Sequence, residues 1–453
     1  MKKRRLKSMV PLNVEDLNEI FDNHHRNADK ARVILQYLFF MKMRMKKDKN
    51  FAPGIKRSTG YVPVNSRTLR KLVRNYSEII RKLLEYDIIE YKLNDRGGKS
   101  YMPTECTMLY RIKNPVTDPI TKRKYRVEYI THPDVIKSVE RYYNGKYDRQ
   151  VKRLVRGDNW LSSTVKFIDQ LYLDVTREKI VEIESDKELD TDYLLGYANQ
   201  FNNRLRRFIN RDNYSSRLHS HLSNMPSVLR PFLKLKKEAS PLVLIDVKSA
   251  QPYLLSCAFY HPHILQLVGE FEPILTIIKK YQHTPGVRLF YEDCIAGTFY
   301  SGLMEASGMT KDELKQKLFE HIFYSSYYPY KNDEEKGTER WKIHQLFRGR
   351  YSDVLELLNR LKQTRKATLP FVAGLTKMYC VPNILAARLE STLFIDRITR
   401  QCTKEGIPVA TIHDAWILKE ADQNRFMGLF HDEFKLLTVN PPQVHVTPLC
   451  VHH

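Results

Sequence analysis

Two short segments, far apart in the chain, constrain its fold most. Leu242-Val243-Leu244-Ile245 is an apolar run with the length of a buried strand, and it ends in Asp246. Downstream, Ile407-Pro408-Val409-Ala410-Thr411-Ile412 leads into His413-Asp414-Ala415, and Trp416-Ile417-Leu418 leads away. The second pattern predicts a hairpin with an acid at its tip. Strand-end aspartates are common, so either acid alone means little. Two aspartates delivered by adjacent strand ends are what a two-metal phosphoryl-transfer site requires, with divalent ions about 3.5–4 Å apart. Strands and helices are mixed from Arg217 onward, so this half of the chain is expected to be α+β.

The preceding residues follow another pattern. Apolar residues recur at helical spacing from Asp29 to Met45, and two further helices are expected over Ser66 to Asn75 and Tyr76 to Tyr86, the first with Ser66 as its N-cap. Ile88-Ile89-Glu90-Tyr91-Lys92-Leu93 alternates like a strand, the turn Asn94-Asp95-Arg96-Gly97-Gly98 follows, and a second strand ends near Ile112. Helix, helix, helix, hairpin is the order of a winged helix, which makes residues 1–115 a winged-helix-like DNA-binding domain. Arg67, Arg70, Lys71, Arg74, Arg81 and Lys82 lie between its apolar positions, where they can meet phosphates; a solvated basic face is the plainer reading. Residues 116–212 are expected to form a helical, thumb-like or connecting region. Leu194, Ala198, Phe201, Leu205 and Phe208 make one apolar stripe there, and Arg177 to Asp192 reads as an exposed, charged connection.

Charge agrees with a nucleic-acid partner. Lys and Arg outnumber Asp and Glu by 75 to 52, a net charge of +23, which concentrates polyanions at the surface. No apolar run approaches the roughly 20 residues that cross a bilayer, so a soluble cytoplasmic protein with no membrane partner is expected. The six cysteines form no C-x-x-C pair, which argues against a zinc knuckle or a disulfide framework.

Ile245-Asp246-Val247-Lys248-Ser249 resembles motif A of the family A DNA polymerases, and Ile412-His413-Asp414-Ala415 resembles their motif C. The single-subunit phage-type RNA polymerases share both. Lys311, Lys315, Phe319 and Phe323 fall at the four-residue steps of the basic and aromatic face of that family's fingers helix. Ser215-Ser216-Arg217-Leu218, Asn224-Met225-Pro226 and Arg230 resemble the segment that enters the palm beside the primer end. The resemblance covers about residues 213 to 436 and implies a right-hand polymerase of palm, fingers and thumb, with palm and fingers over residues 213–453. It implies that Asp246 and Asp414 bind two Mg²⁺ ions, for which Mn²⁺ can substitute. Lys311 and Lys315 would meet the triphosphate, Lys315 would protonate the departing pyrophosphate, and Phe319 and Phe323 would support the nascent pair. Arg217, Arg230 and His413 are implied to contact a DNA primer-template, and Gln251 to abut the sugar of the incoming nucleoside triphosphate.

The chain departs from that pattern in four places. Gln251, followed by Pro252, stands where the family has glutamate or, in RNA polymerases, glycine. A bulky side chain there crowds a 2′-hydroxyl and favours deoxynucleotides, although an amide can also hydrogen-bond that hydroxyl. Tyr324 and Ser325 follow Phe323 where a glycine is expected, so a shift of one residue would give Tyr324 the aromatic role. Ala415 replaces the second acid, or serine, of motif C. The helix from Asn383 to about Lys404, with Arg388 and Glu390 facing one way, stands where the family contacts the template, but the family's usual polar residues do not line up on it. The expected activity is template-directed DNA synthesis without proofreading, in the replication of a virus, plasmid or mobile element. A single-subunit RNA polymerase or primase is one alternative, and a winged-helix initiator or regulator with a relic palm is the other. Protein partners stay open.

Overall fold

The computed structural model describes residues 5–47, 59–93, 101–102, 107–113, 115–117, 124–184, 191–205, 207–236, 238–325, 336–364 and 381–449. Among these, no helix is long and apolar enough to cross a membrane. The expected turn Asn94 to Gly98 lies outside the described residues. The chain divides into two compact units. One comprises Met1–Gln150, Tyr172–Phe208 and Pro226–Arg230, the other Val151–Leu171, Ile209–Met225 and Pro231–His453.

In the first unit β1 (Leu6–Pro11) is followed by α1 (His25–Lys47), β2 (Val62–Asn65), α2 (Ser66–Leu72), α3 (Tyr76–Glu85), β3 (Ile89–Tyr91), β4 (Thr107–Ile112), β5 (Tyr125–Ile130) and later α4 (Thr191–Asn202). Strand β1 pairs antiparallel with β5, and β4 lies between β2 and β3. Leu35, Leu38 and Phe39 of α1 pack with Leu69, Leu72, Ile79 and Leu83 in one core. The three helices form near where the apolar spacing places them, whereas strand β2 is not announced by it. The cap of α2 is Asn65 rather than Ser66: its side-chain oxygen accepts from the Arg67 and Thr68 amides at 2.9 and 3.2 Å, so Ser66 is already helical. Asp29 is fully buried and accepts from the Thr131 and His132 amides and from Arg32, which explains how a carboxylate sits in this core. The Arg177 to Asp192 stretch is not simply an exposed connection. Residues Arg177–Glu184 are helical, Ile180 is buried, and Arg177 pairs with Asp192.

In the second unit β6 (Ile209–Arg211) and β7 (Leu218–Ser220) form a hairpin. A four-stranded antiparallel sheet follows the order β9 (Ala410–Ile412), β10 (Ala415–Lys419), β8 (Leu242–Val247), β11 (Val444–Pro448). Helices α5 (Ala250–Tyr260), α6 (Lys311–Leu318), α7 (Glu339–Lys362) and α8 (Val381–Glu390) share one core with it. Trp416 of β10 is fully buried. Its ring meets Phe394 and Phe426 at centroid distances of 5.1 Å, and its indole N–H donates to Thr399 at 2.9 Å, which removes the one polar cost of burying it. Helix α5 is apolar all round, with nine of its eleven residues buried, as an internal helix must be. Pro252 is tolerated because it lies in the first turn, where no intrahelical N–H is needed. Cys257, Cys294 and Cys402 are buried free thiols.

Candidate active site

Strand β8 runs between β10 and β11, and its last residues carry the first acid. Asp246 lies directly opposite Ala415 on one side and His445 on the other. Because Ile412 pairs with Ala415, the β9–β10 turn has only two residues, His413 and Asp414. The Val247 amide donates to the Asp414 carbonyl at 3.1 Å, so the two aspartates sit at neighbouring strand ends tied together by backbone. Both are partly exposed, unlike their neighbours Ile245, Val247, Ile412 and Ala415. Among the described residues no three or more metal-type side chains converge. A two-carboxylate donor set fits Mg²⁺, which keeps several waters and completes its shell with substrate phosphates.

Three non-glycine residues in this region adopt left-handed backbone: Ser216 before Arg217, Ser249 after motif A, and His413 before Asp414, with φ of 56°, 54° and 55°. Such conformations cost roughly 1–3 kcal/mol each and persist where surroundings over-determine them. At Ser216 the determinants are explicit. Asp212 accepts from the Tyr214 and Ser215 amides at 2.9 and 2.6 Å and from the Arg217 amide at 3.2 Å, while Arg388 donates to Ser216 and to the Asn213 carbonyl. Burial alone would raise the Asp212 carboxyl, but hydrogen bonds from Ser215, Tyr214 and His219 outweigh it and hold the group below the usual carboxylate range.

That loop aims Arg217 at an acid. Its guanidinium donates to Glu390, the last residue of α8, at 2.5 Å. Glu390 is 2% exposed, and burial pushes its carboxyl up to about 7 even though Arg217 pulls it down; nearby Asp414 adds to the rise. Gln251, on the first turn of α5, accepts from the Tyr324 hydroxyl at 2.5 Å. Arg217, Glu390 and Tyr324 therefore gather within electrostatic reach of Asp414. The His413 ring meets His219 edge-on at 5.5 Å.

Helix α6 opens with a capping box. Thr310 accepts from the Glu313 amide, and Glu313 reaches back to the Thr310 amide at 3.1 Å. Leu314 and Leu318 are fully buried, while Lys311 and Lys315 are exposed and make no ion pair with any described residue. After Leu318 the helix widens. Residues Phe319–Phe323 form a π turn, and the Tyr324 amide donates to the Phe319 carbonyl five residues back at 2.9 Å. A turn of that width adds a residue, so the residue in line with Phe319 is five rather than four positions on. Tyr324 thus packs edge-on against Phe319 at 5.0 Å and is 36% exposed. Phe323 is 2% exposed, with Phe299 and Phe347 as ring neighbours. Phe323 also stays beside Phe319, at 5.6 Å between ring centroids, but it is buried in the core, whereas Tyr324 is the more exposed ring.

Arg230 belongs to the first compact unit, with Tyr197 as an electrostatic neighbour. Apolar periodicity missed His445 and the strand that carries it, although Val444-His445-Val446 does alternate. It also missed Asp212, whose position just ahead of the Ser215-Ser216 pair is typical of an Asx turn.

No protein-family model matches the chain, and no curated protein matches it in sequence. Among solved structures it is similar to the POL domain of Pol1 from M. smegmatis in complex with DNA primer-template and dNTP. The identity is 13% and the TM-score 0.30, over 57% of this chain and 49% of that one. The chain therefore spans about half the length of that neighbour, and a likeness of this degree carries no residue roles across.

Proposed function

We propose that the second unit is a template-directed nucleotidyltransferase, most simply a DNA polymerase, whose Asp246 and Asp414 hold two Mg²⁺ ions. The observation that carries this reading is the backbone pairing of the two aspartate-bearing strand ends. The bound ions would supply activation of the attacking 3′ oxygen and neutralise charge on the leaving pyrophosphate. The residues of the chain do the rest. Lys311 and Lys315, exposed and without an ion pair among the described residues, bind the triphosphate, and Lys315 gives a proton to the departing group. Phe319 and Tyr324 present ring faces to the nascent pair. Arg217 and His413 are assigned to the primer-template. Gln251, its amide oxygen engaged by Tyr324, stands against the sugar and favours deoxynucleotides by bulk. Primer extension on a defined template, with deoxynucleotides, with ribonucleotides, and with no primer, tests this reading. Absence of incorporation in every arm with Mg²⁺ and Mn²⁺ would sink it.

The first unit is proposed to grip duplex DNA through α2 and Arg74, two residues beyond it. Arg67, Arg70, Lys71 and Arg74 are exposed and make no ion pair with any described residue. Arg81 and Lys82 of α3 are instead engaged by Glu85 and Asp22. Changing these four exposed cations to Ala is expected to lower duplex affinity and to flatten the plot of log affinity against log salt by about 3 to 4, near 0.9 for each phosphate that is no longer neutralised. A titration series from low to physiological salt measures this; an unaltered slope would remove α2 from the interface.

A further inference from the structure

The wide turn that aims Tyr324 at Gln251 is held by side chains from another helix. Carbonyls at the end of a helix lack backbone donors and need other partners. Here Lys362 donates to the Ile322 carbonyl and, at 3.3 Å, to the Ser325 hydroxyl, while Nε2 of His344 lies 2.9 Å from the His321 carbonyl. Both belong to α7 and both are buried, at 3% and 0% exposure. Burial holds the His344 imidazole down to about 4, so near neutral pH it is uncharged and can donate through Nε2. Lys362 forms no ion pair with any described carboxylate. Among the described residues its amine meets a carbonyl and a hydroxyl, and an amine so buried is costly compared with an apolar side chain of equal length, so what it contributes is local geometry.

We propose that Lys362 and His344 are positioning residues for Tyr324: by capping the terminal carbonyls from α7 they hold the five-residue turn, and with it the choice of which aromatic ring faces Gln251. Without them the segment can tighten to an ordinary α-helical turn. That rotates the register by one residue, bringing Phe323 outward and taking the Tyr324 hydroxyl off Gln251. The kinetic consequence rests on the polymerase reading; the conformational one does not.

The test compares the full-length protein with Lys362→Met by hydrogen exchange and steady-state kinetics. The variant is expected to keep or raise its melting temperature, while amides of residues 319–325 exchange at least about tenfold faster. Nucleotide KM is expected to rise about tenfold with kcat nearly unchanged. In that background Tyr324→Phe should have no further effect on KM, because the hydroxyl has already left Gln251. Lys362→Gln, which keeps a donor, should fall between the two. Unchanged exchange at residues 319–325 in Lys362→Met would overturn the proposal. If the wild-type protein extends no primer, the polymerase reading fails, yet the exchange comparison still decides the role of Lys362.

Discussion

Replacing Asp414 by Asn is expected to lower the rate of primer extension at least about a thousandfold, ~4 kcal/mol of transition-state stabilisation, while the protein stays folded. The fold should survive because the strand ends are joined through the Val247 amide and the Asp414 carbonyl, which the substitution leaves in place. Asn has the size of Asp, and the side chain is only partly buried. What it loses is the negative charge that would hold a divalent ion. Asp246→Asn should behave alike, and the double variant should be little worse than either alone, since one missing carboxylate already disables a shared metal site. Asp432→Asn, an exposed acid on the helix Gln423–Leu436, serves as the control and should keep full activity. The measurement is single-nucleotide incorporation with thermal melts on every variant. Activity within about tenfold of wild type in Asp414→Asn would end the two-metal assignment.

The second large effect is on stability and depends on pH. Glu390 has a carboxyl raised by burial from 4.5 to about 7. A carboxyl raised in the folded state contributes stability that is fully present below its unfolded value and is lost as pH rises through its folded value. Glu390→Gln keeps the neutral shape at every pH. The two proteins should therefore differ least below about 4.5. The difference should shift in favour of Gln by ~3 kcal/mol as pH passes from about 4.5 through 7. Urea unfolding at pH 5 and pH 8 measures this, since titrations of groups remote from Glu390 cancel between the two proteins. A constant difference would mean that the Arg217 guanidinium keeps Glu390 ionised throughout, and that the pair acts as an ordinary buried ion pair.

Motif-level features were legible because they are written in neighbouring residues. The β8 strand follows from a local apolar run, the β9–β10 hairpin from two runs around His413-Asp414, and the Lys311/Lys315 face from the helical period. The helix α2 was legible too, but its cap was misplaced by one residue, because Asn65 and Ser66 are both good caps and only the backbone of β2 decides between them. The turn after Leu318 was legible only as an ambiguity between Phe323 and Tyr324.

The sequence by itself determined that each of the two acids ends a strand and that a basic helix face lies between them in the chain, since these follow from local spacing; that the two strand ends are neighbours was decided by the pairing of β8 with β10. Which ring meets Gln251, how deeply Glu390 is buried, and which carbonyls Lys362 and His344 cap were decided only by tertiary structure. These depend on side chains 23 to 40 residues away in the case of the wide turn, and 173 away for the Arg217–Glu390 pair. Periodicity describes the faces of an element. It carries no information on the partner whose burial and hydrogen bonds set the register.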